Sequence, residues 1–217
     1  MARPKSVGAR EQILDAADAL FGEVGFDAAS TREIAERSGL NKALIHYHFK
    51  SKESLFAAVL DRYYERLNRL LLAELGREGR SREILQRLID GYIDFLAANR
   101  DFSRIVQRES AGGVHMARIN SHLLPVFKAA TGLVNSAFPA TRAGDMDALN
   151  LMVSFYGMIV GYFTYAGIIA LLSGRDPLSG RELKRRKQHL FRMLDAVIRE
   201  LDGGHGQAGA GRKGRKP

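Results

Sequence analysis

Between Arg37 and Lys52 the chain places four basic residues (Arg37, Lys42, Lys50, Lys52) and two histidines, His46 and His48, with no acid among them. Cations gathered without counter-ions attract phosphate. Bulk charge does not single out this segment. The first sixty residues hold eight Lys or Arg and eight Asp or Glu, while the formal net charge of the chain is +9. Arg212, Lys213, Arg215 and Lys216 supply four of those charges near the C-terminus. Local placement is therefore the signal. Catalytic chemistry is poorly provided for. The absence of cysteine excludes disulfides, thiolate metal sites and Cys nucleophiles. Glu109, His115 and His122 form no i, i+4 pair on a helix, so they read as polar surface or pocket residues, not metal ligands. Gly112-Gly113 lacks the Lys-Ser/Thr that completes a phosphate loop. The sequence predicts no enzyme, no cofactor and no metal site.

The elements that must position those cations are helices. Ile13, Leu14, Ala17, Leu20 and Phe21 fall on one face of a first helix, which Gly22 and Gly25 end. Ser30-Thr31-Arg32-Glu33 matches a capping box and starts a second, which stops at Gly39. Asn41 caps a third helix from Lys42 to about Phe49, and Lys50-Ser51-Lys52-Glu53 opens a fourth that runs through Leu75. Ala35 is small enough for close helix approach, Gly39 suits a positive φ, and Leu40 and Ile45 plug the space between. That is the helix-turn-helix requirement, whose second helix enters a major groove. Further helices are expected at 81–99, 101–111, 120–137, 145–172 and 179–201, so the fold class is all-α. Pro125 should kink or begin its helix.

The run from Ala9 to Phe56 resembles the N-terminal domain of the TetR family of transcriptional regulators. The resemblance rests on Ser30-Thr31-Arg32-Glu33-Ile34-Ala35, on Gly39-Leu40-Asn41-Lys42, and on Ile45-His46-Tyr47-His48-Phe49-Lys50-Ser51-Lys52-Glu53-Ser54-Leu55-Phe56. It implies a three-helix helix-turn-helix domain over residues 1–50 and a helical ligand-binding and dimerisation domain over 51–202. It also implies DNA contacts. Ser30, Thr31 and Arg32 would meet phosphate at the second helix's N-terminus. Lys42, Ala43 and Leu44 would face base edges, Tyr47 and His48 the DNA backbone, and Lys52 another phosphate. Two positions depart from the family pattern. Ala43-Leu44 replaces a common Gly-Thr, and His46 stands where Tyr is usual, at a place expected partly in the domain interior. Leu44 could touch a thymine methyl.

The resemblance further implies a ligand-responsive repressor, cytoplasmic, binding a palindromic double-stranded operator as a homodimer. The expected dimer surface is the pair of helices near 145–172 and 179–201. Aromatic residues of the larger domain suit a small apolar or aromatic effector, with Phe95, Phe102, Arg108, Phe127, Phe155, Tyr156 and Tyr162 as candidate lining. A protein of the same fold without small-molecule control is the alternative. A third reading comes from the uncharged run 148–174, long enough to span a bilayer. Its polar members, Asn150, Ser154, Tyr156, Tyr162 and Thr164 among them, favour a buried helix and no membrane. Residues 1–8 read as a flexible basic arm, with Arg3 and Lys5 either entering a minor groove or only attracting DNA. Residues 203–217 read as a disordered basic tail.

Overall fold

The structure, a computed structural model, describes residues 5–110 and 115–203. Of the flexible arm expected at residues 1–8, positions 1–4 lie outside those residues and 5–8 belong instead to the first helix; the tail expected at 203–217 lies outside them beyond Gly203, which ends the last helix. Ten α-helices and one 3-10 turn, with no strand, make up the described chain. It packs as two compact units: the residues up to Arg69 with Phe95–Pro125, and Leu70–Asp94 with the residues from Val126 onward.

In the first unit α1 (Lys5–Val24) buries Ile13, Leu14, Ala17, Leu20 and Phe21, the stripe its spacing announces. Fully burying a Phe or Leu side chain stabilises by about 1.5–3 kcal/mol each. Gly25, at φ 86°, turns the chain and donates its N–H to the Phe21 carbonyl at 2.9 Å. Next come α2 (Thr31–Ser38), α3 (Lys42–Phe49) and α4 (Lys52–Leu75), then α6 (Arg100–Ser110) after α5 (Ser81–Ala98), and the start of α7 (Met116–Ala137). α1 and α6 approach closely at Gly22, where an added Cβ would lie 2.7 Å from the Cβ of Asp101. Phe56 meets Phe21 edge to face at 4.9 Å, and Tyr63, Tyr64 and Phe95 surround Phe102 at 4.7, 5.1 and 5.7 Å. Ion pairs lace α1 to α4. Arg62 donates to Asp15 at 2.6 Å and to Asp18 at 3.1 Å, and the Tyr63 hydroxyl also donates to Asp18. Burial pushes the Asp18 carboxyl up despite those donors.

The fourth helix begins at Lys52, not Lys50. Lys50 instead sits at φ 66°, ψ −45°, and the Ser51 N–H donates to the Phe49 carbonyl at 2.7 Å. That is a γ-turn with positive φ, an uncommon and strained conformation for a residue with a Cβ. Ser51 then accepts from the Ser54 N–H at 3.1 Å and starts α4.

The second unit contains the first part of α5, the end of α7, the 3-10 turn Pro139–Arg142, α8 (Ala148–Thr164), α9 (Ala166–Ser173) and α10 (Gly180–Gly203). Pro125 lies inside α7, which starts at Met116, four residues earlier than expected. Lys187 of α10 pairs with Asp90 and Asp94 of α5 at 2.8 and 2.7 Å, and Arg82 grips Asp195. Leu183, Leu190, Leu194 and Leu201 form the buried stripe of α10.

The single helix expected at 145–172 is two. Tyr165, at φ −97° and ψ 19°, ends α8, and α9 leaves at an angle of 69°. Gly161 and Gly167 flank the break, and glycine holds a helix poorly. Among the described residues no single helix is long and apolar enough to cross a membrane; only this bent pair has the length and composition together.

Candidate nucleic-acid interface

The two helices that carry the predicted contacts are fixed by their ends. Ser30 Oγ accepts from the Glu33 N–H at 3.1 Å, while the Glu33 carboxylate accepts from the Ser30 N–H at 3.2 Å and from its hydroxyl at 2.8 Å. The capping box is complete. Gly39 closes α2 at φ 66°, and the Leu40 N–H donates back to the Ala35 carbonyl at 3.1 Å. Asn41 Oδ1 accepts from the Ala43 N–H at 2.8 Å and opens α3. Arg37 holds Glu23 through two hydrogen bonds of 2.9 and 2.8 Å, tying α2 to the end of α1. That bond holds the Glu23 carboxyl below its ordinary range.

On α3 the inward side chains are Ile45 and Phe49, both buried. Lys42, Ala43, His46 and Tyr47 are exposed, at i, i+1, i+4 and i+5, so they share one outward face. Lys42 makes no hydrogen bond or ion pair among the described residues. Tyr47 is 69% exposed; its ring meets His48 edge-on at 5.1 Å and lies 5.7 Å from the Lys50 ammonium. Leu44 and His48 flank this face and are half-buried. His46 belongs to it, contrary to the interior position expected from its place in the motif. The i+4 step from Lys42 could have revealed that. Beside α3, Thr31 is half-buried, and Arg32 stands 84% exposed with its Nε donating to Glu36 at 3.0 Å.

Lys52 is a correction. Its ammonium donates to the carbonyls of Phe26, Asp27 and Ala29 at 2.9, 3.3 and 3.1 Å and lies 4.4 Å from the Phe26 ring centroid. An ammonium has three protons, and all three are engaged. The group closes the loop between α1 and α2 instead of facing phosphate.

Arg108 is a correction as well. Arg108 donates to the carbonyls of Phe21 and Gly22, each at 3.2 Å, and of Glu23 at 2.8 Å. It caps the C-terminus of α1, where orphan carbonyls and the helix dipole favour a cation. Phe102 is a fully buried core residue, and Phe95 packs beside it. In the second unit Phe127 and Tyr156 meet at 5.2 Å, both half-buried like Phe155. Burial pushes the Tyr156 hydroxyl up. The Tyr162 hydroxyl donates to the Pro177 carbonyl at 2.9 Å, with the Arg186 guanidinium 4.9 Å from its ring.

The polar residues set aside as surface or pocket groups serve the first unit's core. His115 Nδ1 lies 3.0 Å from Glu109, with its ring 4.7 and 4.4 Å from Phe26 and Phe56. His122 Nε2 is 2.7 Å from Asp61, and its ring stacks on Tyr64 at 4.9 Å. Arg118 holds the same carboxylate. Burial alone would raise the Asp61 carboxyl; the hydrogen bonds from Arg118 and His122 outweigh it and hold the group below its ordinary range. Among the described residues no three His, Asp or Glu converge as metal ligands.

Comparison with known proteins agrees with this geometry. The family model described as bacterial regulatory proteins, tetR family, matches residues 13–59, the span from α1 into α4. A TetR-like transcriptional regulator from Rhodococcus superposes with a TM-score of 0.64 at 22% identity, over 93% of this chain and 100% of its own. The N-terminal segment of this chain is similar to the tetR family of bacterial regulatory proteins. The HTH-type transcriptional repressor Rv3405c of Mycobacterium tuberculosis is 28% identical over 190 residues, 88% of this chain and 87% of the relative. The regulator FadR from Bacillus subtilis, in complex with stearoyl-CoA, aligns with a TM-score of 0.68 at 18% identity, covering 85% of this chain and 96% of its own. The chain is thus a DNA-binding transcriptional regulator with an N-terminal helix-turn-helix similar to that of the tetR family, and its relatives are transcriptional regulators.

Proposed function

We propose that the chain is a ligand-responsive repressor that binds a near-palindromic operator as a homodimer. The observation that carries the reading is the outward face of α3. Lys42, Ala43, His46 and Tyr47 project from a helix whose opposite face is buried and whose start is capped. Lys42 and Ala43 read base edges, while Tyr47, with His48 beside it, contacts the DNA backbone. Arg32, with Ser30 and Thr31 at the N-terminus of α2, meets a phosphate. A two-fold dimer sets its half-sites about one helical turn, ~34 Å, apart.

Residues 1–50 read DNA, and 51–202 dimerise and take the effector. The dimer surface comes from α8 and α10. Exposed Leu149 and Val153 on α8 and Met193 on α10 support that reading. Repression follows the name of the M. tuberculosis relative. An apolar effector is supported by the half-buried Phe127, Phe155 and Tyr156, and by the stearoyl-CoA that the FadR neighbour binds. The effector changes the spacing of the two recognition helices, with α4 as the lever.

The test is selection of sites from random duplex DNA, repeated with Lys42→Ala. An enriched palindrome that relaxes in the variant supports the reading. Uniform, salt-sensitive binding with no enrichment in the presence of candidate acyl effectors and in their absence refutes operator recognition.

A further inference from the structure

Beyond operator reading, α10 carries a second cationic feature. Its buried leucine stripe faces the second unit's core, and Lys187 and Asp195 are paired with α5. On the opposite side Arg181, Lys184, Arg185, Arg192 and Arg199 are all exposed. At about 100° per residue these five fall within roughly a third of the helix circumference, and from Arg181 to Arg199 they run for about 27 Å. Arg181, Lys184, Arg192 and Arg199 have no hydrogen bond or ion pair among the described residues. Arg185 has only Glu182, at 3.9 Å, and Glu182 is shared with Arg175. Two acids share this sector: Asp195, gripped by Arg82 and also near enough to act on Arg199, and exposed Asp202 at the C-terminal end, on the line of Lys184. Five cations against those two leave the face with a net positive charge.

We propose that this outer face of α10 is a sequence-independent docking surface for the phosphate backbone of duplex DNA. Three considerations choose that occupant. An excess of like charges along one face weakens the helix that bears it, and a regularly spaced polyanion relieves the repulsion. The leucine stripe of α10 is occupied by the protein core, and exposed Met193, about 100° round the helix from Arg192, lies off the row, so the cationic face itself offers no apolar side chain to a lipid surface. A second copy offering the same face would set cation against cation. The sequence beyond α10 extends the same chemistry, adding Arg212, Lys213, Arg215 and Lys216 and no acid.

The experiment compares the full-length protein with a variant carrying Arg181→Gln, Lys184→Gln, Arg192→Gln and Arg199→Gln. Glutamine keeps helix propensity close to that of Arg and Lys. Affinity for a random-sequence duplex is measured by fluorescence anisotropy across salt, with thermal melting as the control for folding. The slope of log affinity against log salt should become shallower by about 0.9 for each stripe cation that neutralises a phosphate, and affinity at low salt should fall by roughly tenfold or more. Preference for the selected operator over random DNA should survive. The recognition-helix variant Lys42→Ala should do the reverse, losing preference while keeping the stripe's salt dependence, so the two readings fail separately. An unchanged slope with an unchanged melting temperature overturns the proposal. So does a slope that falls only when Arg212, Lys213, Arg215 and Lys216 are replaced instead. Binding to vesicles of anionic lipid that the stripe variant loses, with DNA affinity untouched, overturns it in favour of a membrane surface.

Discussion

Replacing Lys52 by Met separates two accounts of that side chain. Met keeps most of the aliphatic stem and removes the ammonium. The structure puts that ammonium on three loop carbonyls and close to the Phe26 ring. Hydrogen bonds to a charged group are worth about 1.5–3 kcal/mol, and a cation over an aromatic face adds about 0.5–1 kcal/mol. The three carbonyls share one donor group, and water can reach part of the site, so the expected loss is about 2 kcal/mol in all. For a domain of this size that lowers Tm by about 4–8 °C. A side chain gripping phosphate would behave differently: stability would hold, and the salt slope of DNA binding would fall by about 0.9. Thermal melting and a salt titration on the same two proteins decide the matter. A melting temperature within a degree or so of wild type, together with a shallower slope, refutes the argument that Lys52 is spent inside the fold.

Further outcomes follow from other contacts. Gly22→Ala pushes a methyl against Asp101 Cβ at 2.7 Å and should cost about 1–3 kcal/mol as α1 and α6 are forced apart; equal denaturant midpoints would show that the helices yield freely. Lys50→Gly releases the positive φ of the γ-turn and should stabilise by about 1 kcal/mol; a lower Tm would mean the lysine side chain contributes more than the strain costs. Asp61 is held below its ordinary range, so its contribution is present above the unfolded pKa and is lost as pH falls through the folded one. The stability difference between wild type and Asp61→Asn should therefore close below about pH 4. A difference that persists in strong acid would show that the carboxylate's charge is not what Arg118 and His122 recognise.

The helix-turn-helix was legible because its rules are local. Ser30 and Glu33, three residues apart, declare a cap, and Gly39 declares a turn, whatever surrounds them. Lys52 and Arg108 were not legible. Their partners are carbonyls 23 to 26 and 85 to 87 positions away, and a backbone carbonyl leaves no trace in sequence. The aromatic residues of the larger domain split for a similar reason. Phe102 and Phe127 have the same side chain, and only tertiary packing makes the first core and leaves the second half-buried. The bend at Tyr165 was hidden because the apolar run from 148 to 174 satisfies a straight helix and a broken one equally. His122 and Asp61 sit 61 positions apart, beyond any spacing rule.

The face of α3 has a consequence for how such a protein changes over time. Lys42, Ala43, His46 and Tyr47 point away from the core, while the turn, the caps and the loop clamp lie on other residues. Substitution at those four positions is therefore nearly free of stability cost. On the operator contacts proposed above, a duplicated gene can drift toward a new operator one side chain at a time without passing through an unfolded intermediate. On the same proposal, a library randomised at only these four positions is a practical starting point for redirecting the regulator to a chosen promoter.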